Sequence, residues 1–513
     1  MIRQGFFSTP FAQFENLSNN KFLVVHHTLV EKSEMLDLSL LHRVDRTGDF
    51  FSFTYEQVSE ATKVIASKML SAGLTNQKLV PILMTNSFDL ILSVLSLWRT
   101  GAVPVPLNVH LLKNELEDKI NFLNAECTIC ENNFADYFPS IKKFVTSNTF
   151  SGNKLFPNDF KDSGTAVLLF TSGTSGKPKA VPLSYNNLSA AFKTGDSIFK
   201  FSKKDSWYLN LPLYHIGGFS ILVRAILAGS KVILPESNEF TTLKRNLKIL
   251  KPTLISLVPT QLKRICEDPT QPNKELRAAL IGGGFAADAM LSTASNLGWK
   301  IYKVYGSTET SAFITILTPG DFVCKPKSIG KPLNQVEIQI FDARKNVLHQ
   351  NEIGEIGVKA FSVFKEYFSN TADTSSAFYN GFYLTGDFGY YDTDGYLYLE
   401  NRRTDLIVSG GENLSPIEIE KVLLQFQNVD EACVFGIPDN KWGEIVVAAV
   451  VTKDKRKIDL SALKIFLKRH LPAFKIPKKY FQVEELPKSA IGKIKRSEVK
   501  KQFIIFASSH TSQ

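Results

Sequence analysis

The segment Leu168–Val181 reads LLFTSGTSGKPKAV and concentrates the groups that hold phosphate. An apolar run leads into Thr171, Ser172, Gly173, Thr174, Ser175, Gly176 and Lys177. Glycines let the backbone approach a ligand closely, and successive N–H groups form an anion nest. The hydroxyls add donors and Lys177 adds charge, so the loop suits a polyphosphate. It is not a Walker A loop, because Pro178 follows the lysine where that pattern needs Ser or Thr. Cys127 and Cys130 form a lone CxxC in AECTICEN. With no second CxxC, zinc or redox chemistry is not expected there, and the pair reads as part of a short strand.

These residues need elements to position them. After Thr54, apolar residues recur at Val58, Ala61, Ile65, Met69 and Ala72, spaced by three or four. That spacing predicts a helix, opened by a Thr54/Gln57 capping box and ended at Gly73. LVPILM and AVPVPLN read as strands on either side of a helix over Ser87–Arg99. TAVLLF, KVILP, TLISLVP and AALIGG are further short strands, most of them separated by helical segments. Such alternation predicts a mostly parallel sheet with helices on its faces. From about Gln335 the texture becomes β-rich, with VEIQIF, EIGEIGVKA and GYLYLE and a hairpin turn at Asp394-Gly395. A small unit follows Asp405. It has helix signals at Pro416–Leu424 and Leu460–His470 and strands near Ala432–Ile437 and Ile445–Val451. The polar ending SSHTSQ is expected to be disordered.

The chain has 513 residues, 44% hydrophobic and 21% charged, which excludes a disordered chain or a small disulfide scaffold. The net charge of +10 is spread along the sequence. That argues against a nucleic-acid partner and is compatible with small anions. Five cysteines point to a reducing compartment. The N-terminal segment lacks a continuous apolar core, and the apolar run around Leu90–Trp98 is far below the ~20 residues of a membrane span. A cytoplasmic protein is expected, with no transmembrane segment.

Several motifs, in order, resemble the adenylate-forming (AMP-binding) superfamily of acyl-CoA synthetases, luciferases and peptide-synthetase adenylation domains. The loop at Leu168–Val181 is the first. YGSTET at Tyr305–Thr310 looks like the family's adenine- and magnesium-binding segment. YLTGDFGYYD at Tyr383–Asp392 looks like its ribose-binding segment. NRRTDLIVSGGENLSPIEIE at Asn401–Glu420 resembles its hinge, and PKSAIGKIKR at Pro487–Arg496 its catalytic-lysine loop. One departure is Asn401, where many relatives have glycine.

The resemblance implies an α/β fold. A large N-terminal domain of α/β subdomains plus a β-rich subdomain, residues 1–404, would bind AMP. A small mobile α+β C-terminal domain, residues 405–513, would carry the catalytic lysine. It also implies roles, each with a physical reading. Glu309 is a hard oxygen ligand for Mg²⁺. Thr308 donates to the α-phosphate. Tyr305 offers a face to adenine, with Gly283 and Gly284 leaving room for the purine. Asp387 accepts from ribose hydroxyls and Arg402 donates to the same sugar. Lys493 stabilises charge in the adenylation transition state. Asp405 is the hinge, Gly410 and Gly411 line a pantetheine path, and His215 gates the acyl pocket.

The implied reaction is ATP-dependent acid–CoA ligation through an acyl-adenylate, with ATP, Mg²⁺ and coenzyme A. The segment LYHIGGFSIL holds no acidic residue for a substrate ammonium, which disfavours amino acids. Within the superfamily, LPLYHIGGFSILVRAILAGSKVILP, LIGGGFAAD and RTDLIVSGGENLSPIEIE look most like the o-succinylbenzoate–CoA ligases of menaquinone biosynthesis. A medium-chain fatty acid or aryl acid ligase, a luciferase-like monooxygenase and an inactive adenylate-binding protein stay open on sequence, as does homo-oligomerisation.

Overall fold

The structure, a computed structural model, describes residues 17, 19–33, 35, 44–75, 78–134, 137, 142–144, 164–171, 179–284, 286–401, 407–453, 456–487, 494 and 496–510. Among these, the largest sheet has ten strands. Its centre is parallel, with Ile301–Ser307, Ala278–Ile281, Leu254–Leu257, Ser206–Tyr208, Lys231–Leu234 and Lys21–His26 side by side in that order. Antiparallel strands close both edges. Ala312–Leu317 and Lys331–Pro332 lie on one side, Phe50–Thr54 and Asp45–Thr47 on the other. A second sheet, parallel throughout, orders Val103–Pro106, Leu79–Leu83, Cys127–Cys130 and Lys142–Phe144. The expected parallel sheet is therefore two sheets. Thr165–Thr171 and Lys179–Ser184 pair in a sheet of their own on either side of the Gly-rich segment.

Local chemistry explains the helices. In Tyr55–Ser71, Gln57 N–H donates to Thr54 Oγ1 at 3.2 Å, and Gln57 Oε1 accepts from Thr54 N–H at 2.8 Å. Val58, Ala61, Ile65 and Met69 are buried as one stripe. Helix Phe88–Thr100 is buried on almost every side, as its nearly continuous apolar sequence requires. Trp98 Nε1 donates to Ala166 O at 2.7 Å and joins this helix to the strand leading to the Gly-rich segment. One apolar core links Phe22, Trp98, Phe219 and Phe364. Another lies under the outer helices Phe240–Ile249, Pro259–Glu267 and Asp288–Asn296.

The β-rich part is a five-stranded antiparallel sheet of Glu337–Phe341, Gly354–Lys359, Phe382–Tyr391, Phe378–Tyr379 and Leu397–Asn401. Gly395 N–H donates to Asp392 O at 3.1 Å and closes the expected turn between its long strands.

The chain divides into two compact units. The first takes residues 1–109, 113–170 and 180–400, and the second takes 401–513 with 110–112 and 171–179. A boundary after residue 404 falls within 402–406, outside the described residues. In the second unit, the hairpin Ile407–Ser409/Glu412–Leu414 joins Gly443–Thr452, Val429–Asp439 and Lys479–Gln482 in one sheet. Helices Pro416–Leu423 and Leu460–His470 cover it, near the residues expected. The ending differs from expectation. Ser508, Ser509 and His510 complete a helix, Arg496–His510, while 511–513 lie outside the described residues. Val499 and Phe503 bury against Phe435 and Leu486, and a helix anchored in this way propagates beyond its contacts.

Candidate active site

Strand Ile301–Ser307 delivers the YGSTET segment and ends in a single 3₁₀ turn, Thr308–Thr310. The pairing with Ala312–Leu317 shifts register between Tyr305 and Gly306. A Cβ on Gly306 would stand 1.8 Å from Ala312 O, so only glycine fits. Ser311 and Ala312 then take φ of +56° and +106°, a conformation that costs roughly 1–3 kcal/mol per residue and must be held by its surroundings. Three hydrogen bonds hold it. Thr310 Oγ1 accepts from Ser307 N–H at 2.8 Å and donates to Ala312 O at 2.7 Å, and Ser311 Oγ donates to Ser362 O at 2.7 Å. Thr308 is left half-buried, and Glu309 is 7% exposed.

Tyr305 Oη donates to Asp387 Oδ2 at 2.7 Å. Asp387 lies on strand Phe382–Tyr391, and its N–H donates to Thr385 Oγ1 at 3.1 Å. The sequence assigned these two residues separate contacts, and the structure joins them. Gly283 and Gly284 follow strand Ala278–Ile281. The pairing of Ile281 with Lys303 places their turn beside the strand that carries Tyr305.

Glu309 Oε1 accepts from the Tyr367 hydroxyl at 3.1 Å, and Glu309 O accepts from Phe364 N–H at 2.8 Å. Among the described residues, nothing hydrogen-bonds Oε2. A single fixed carboxylate with one oxygen left for a ligand fits Mg²⁺, which keeps water and substrate phosphates as most of its shell. It does not fit a metal caged by protein. No cluster of three or more potential ligands occurs among the described residues.

His215 precedes helix Ile216–Ala228 and makes no side-chain cap. Its ring lies 4.7 Å from that of Tyr214. Asn86 fixes the approach to it. Asn86 Nδ2 donates to Leu211 O at 2.8 Å, and its Oδ1 accepts from Leu213 N–H at 2.9 Å. Further along the helix is Arg224, 4% exposed, its guanidinium 4.4 Å from the centre of the Phe313 ring and 5.7 Å from that of Trp207. Among the described residues, no carboxylate pairs with it. Burial pulls the Arg224 guanidinium well below the usual arginine range. Asn86, Tyr367 and Arg224 are absent from the sequence reading. Arg224 did leave a signal, a single charge in the apolar helix IGGFSILVRAILA.

In the second unit, Gly410 and Gly411 form the hairpin turn, with φ of +62° and +93°, which non-glycine residues seldom adopt at both positions. Gly410 N–H donates to Trp442 O at 2.8 Å. Thr171 ends its strand with Oγ1 3.4 Å from Lys179 O. Ser172, Gly173, Thr174, Ser175, Gly176, Lys177, Arg402, Asp405 and Lys493 lie outside the described residues. Cys127 and Cys130 are buried in a strand, as expected.

Residues 39–368 match the family described as AMP-binding enzyme, and residues 418–493 match the AMP-binding enzyme C-terminal domain. The 2-succinylbenzoate–CoA ligase of Listeria monocytogenes serotype 4b (strain F2365) is 33% identical over 453 residues, covering 88% of this chain and 94% of that one. A double mutant of o-succinylbenzoate CoA synthetase from Bacillus subtilis, solved with its product analogue OSB-NCoA, superposes with a TM-score of 0.87 at 28% identity. That match covers 96% of this chain and 98% of the other. The same enzyme solved with the acyl-adenylate intermediate OSB-AMP gives a TM-score of 0.69 at 29% identity, over 93% and 98% of the two chains.

Proposed function

The chain belongs to the AMP-binding enzyme family, and on that premise we propose that the site described above is built for 2-succinylbenzoate. The enzyme is an AMP-forming acid–CoA ligase that converts 2-succinylbenzoate, ATP and CoA to 2-succinylbenzoyl-CoA, AMP and diphosphate. It works with ATP and magnesium, and CoA is a co-substrate.

Arg224 carries the choice of acid. A buried cation with no anion is strongly unfavourable unless a ligand supplies one. A fatty or simple aryl acid has one carboxylate, and the reaction consumes it. 2-Succinylbenzoate has two, so one remains to pair with Arg224 while the other is activated. The aromatic rings of Phe313 and Trp207 flank the guanidinium.

In the first step a carboxylate oxygen attacks the α-phosphorus of ATP and diphosphate leaves. Asp387 and Arg402 hold the ribose, Tyr305 with Gly283 and Gly284 holds adenine, and Thr308 donates to the α-phosphate. Thr171, Ser172, Gly173, Thr174, Ser175, Gly176 and Lys177 cradle the departing phosphates. Glu309 would hold magnesium, which when bound would supply neutralisation of phosphate charge. Lys493 stabilises the charge that develops at the carboxylate and phosphorus. In the second step the CoA thiolate attacks the acyl carbon and AMP leaves. Gly410 and Gly411 leave space for the pantetheine arm, and His215 stands at the acyl pocket. A hinge at Asp405 would let residues 405–513 serve the two steps in turn. A cytoplasmic placement, in line with the five cysteines of the sequence, belongs to this reading.

The test is CoA-dependent AMP formation with 2-succinylbenzoate, octanoate, a long-chain fatty acid and 4-coumarate side by side. Strong preference for 2-succinylbenzoate is expected. Preference for any of the others would overturn the choice of acid and keep the reaction.

A further inference from the structure

We infer that Tyr367 is a positioning residue for the metal-binding carboxylate, and that the segment 361–368 acts as a strap holding it there. The inference rests on Glu309 being the magnesium ligand. Tyr367 is 3% exposed, and its ring lies 4.7 Å from that of Phe364. Its hydroxyl donates to Glu309 Oε1 at 3.1 Å. A carboxylate with one oxygen held by a donor presents the other in a fixed direction, and outer partners of this kind tune a metal ligand.

The strap has further anchors. Phe364 N–H donates to Glu309 O at 2.8 Å, which fixes the backbone of the same residue. Asn187 Nδ2 donates to Phe361 O at 2.9 Å and Val363 O at 2.8 Å. Phe368 N–H donates to Ala180 O at 2.9 Å, in the strand that leaves the Gly-rich segment. Asn187 itself is fixed. Its Oδ1 accepts from Ser184 N–H at 3.0 Å, and its N–H donates to Ser184 Oγ at 3.1 Å. One short segment thus ties the metal carboxylate to the strand that follows the phosphate loop.

The experiment titrates Mn²⁺ by electron paramagnetic resonance in the presence of α,β-methylene-ATP, with AMP affinity measured separately without metal. Tyr367→Phe keeps the ring and removes the donor. It is expected to weaken Mn²⁺ binding about tenfold, the low end for losing an outer partner, with AMP affinity and melting temperature nearly unchanged. Glu309→Gln is expected to weaken it at least as much, and adding Tyr367→Phe to Glu309→Gln should have no further effect. If Tyr367→Phe lowers AMP and Mn²⁺ affinity equally, the residue is merely structural and the inference fails. It fails too if Glu309→Gln weakens the metal and Tyr367→Phe does not. If Glu309→Gln itself leaves Mn²⁺ affinity unchanged, the metal assignment and the inference fall together. Should Tyr367→Phe melt well below wild type, Tyr367→His supplies a second variant with a ring donor. Recovery of Mn²⁺ affinity in that variant supports the inference, and a loss equal to that of AMP overturns it.

Discussion

Tyr305 Oη donates to Asp387 Oδ2 across 2.7 Å, which ties the strand Ile301–Ser307 of the large sheet to Phe382–Tyr391 of the β-rich sheet. On the proposed roles, one bond would therefore orient both the ring facing adenine and the carboxylate accepting from ribose. A hydrogen bond to a charged group contributes about 1.5–3 kcal/mol. Tyr305→Phe should accordingly raise the KM for ATP about tenfold or more. Asp387→Asn should do the same, and the double variant should lose less than the product of the two. AMP titrations on the three variants check this, and independent effects would show that the pair does not act as a unit.

Replacing Arg224 separates substrate choice from stability. Arg224→Leu should lower kcat/KM for 2-succinylbenzoate by about 100-fold, in keeping with loss of a desolvated charge pair. Octanoate turnover should hold or rise. The melting temperature should not fall, because a buried charge that pairs with no carboxylate among the described residues has been exchanged for an apolar group. Equal losses with both acids would refute the assignment.

Much of the fold was legible because its signals are local. The capping box at Thr54 and Gln57, the buried strand runs and the Asp394-Gly395 turn each depend on neighbouring residues. The separation into two parallel sheets was not legible, since LVPILM and TLISLVP look alike as buried strands and nothing in either names its partner. The motif residues of the site were legible as types. Their couplings were not. Tyr367 reaches Glu309 across 58 positions and Asn86 reaches Leu213 across 127, and no periodicity records such contacts. The helical ending shows the converse. Its last residues are polar, and the burial of Val499 and Phe503 decides their state.

Asn86 should act on the acid and not on the nucleotide. Asn86→Ala removes both bonds that hold the loop before His215, so the KM for the acid should rise about five- to tenfold, from roughly 1–1.5 kcal/mol of lost hydrogen bonding. The KM for ATP should stay within twofold. Parallel changes in both would make Asn86 a general stabiliser of the fold.

Asp205 and Arg277 give the protein a pH-dependent clasp. Arg277 Nε and Nη2 reach the two carboxylate oxygens at 2.6 and 2.7 Å. Burial works to raise the Asp205 carboxyl, but the Arg277 guanidinium, the Ser202 N–H and the Thr253 hydroxyl outweigh it and hold it below the usual carboxylate range. A lowered folded pKa means stability that is present above the unfolded value, about 3.9, and lost as pH falls through the folded one. Arg277→Met should cost about 3 kcal/mol at pH 7, the lower end for breaking a buried pair, because Arg277 keeps a third of its surface in water. Thermal melts should show the gap between wild type and variant narrowing below pH ~4. A gap independent of pH would place the cost in packing.

Gly306 tolerates no side chain. Gly306→Ala must displace the carbonyl of Ala312, and with it the turn that presents Thr308 and Glu309. ATP–diphosphate exchange should fall by about 100-fold, the scale for misplacing a reacting group by an ångström. Activity near wild type would mean that the turn is more pliable than its hydrogen bonds suggest.

The seating of Arg224 against two aromatic rings also bears on how this sequence changes over time. Exchange of that guanidinium for leucine or methionine would ease the burden of burying a charge, so drift under selection for folding alone runs toward losing it. Its place in an otherwise apolar helix fits the proposed pairing with a second substrate carboxylate, and on that reading a descendant freed from a two-carboxylate substrate should be expected to shed this arginine early.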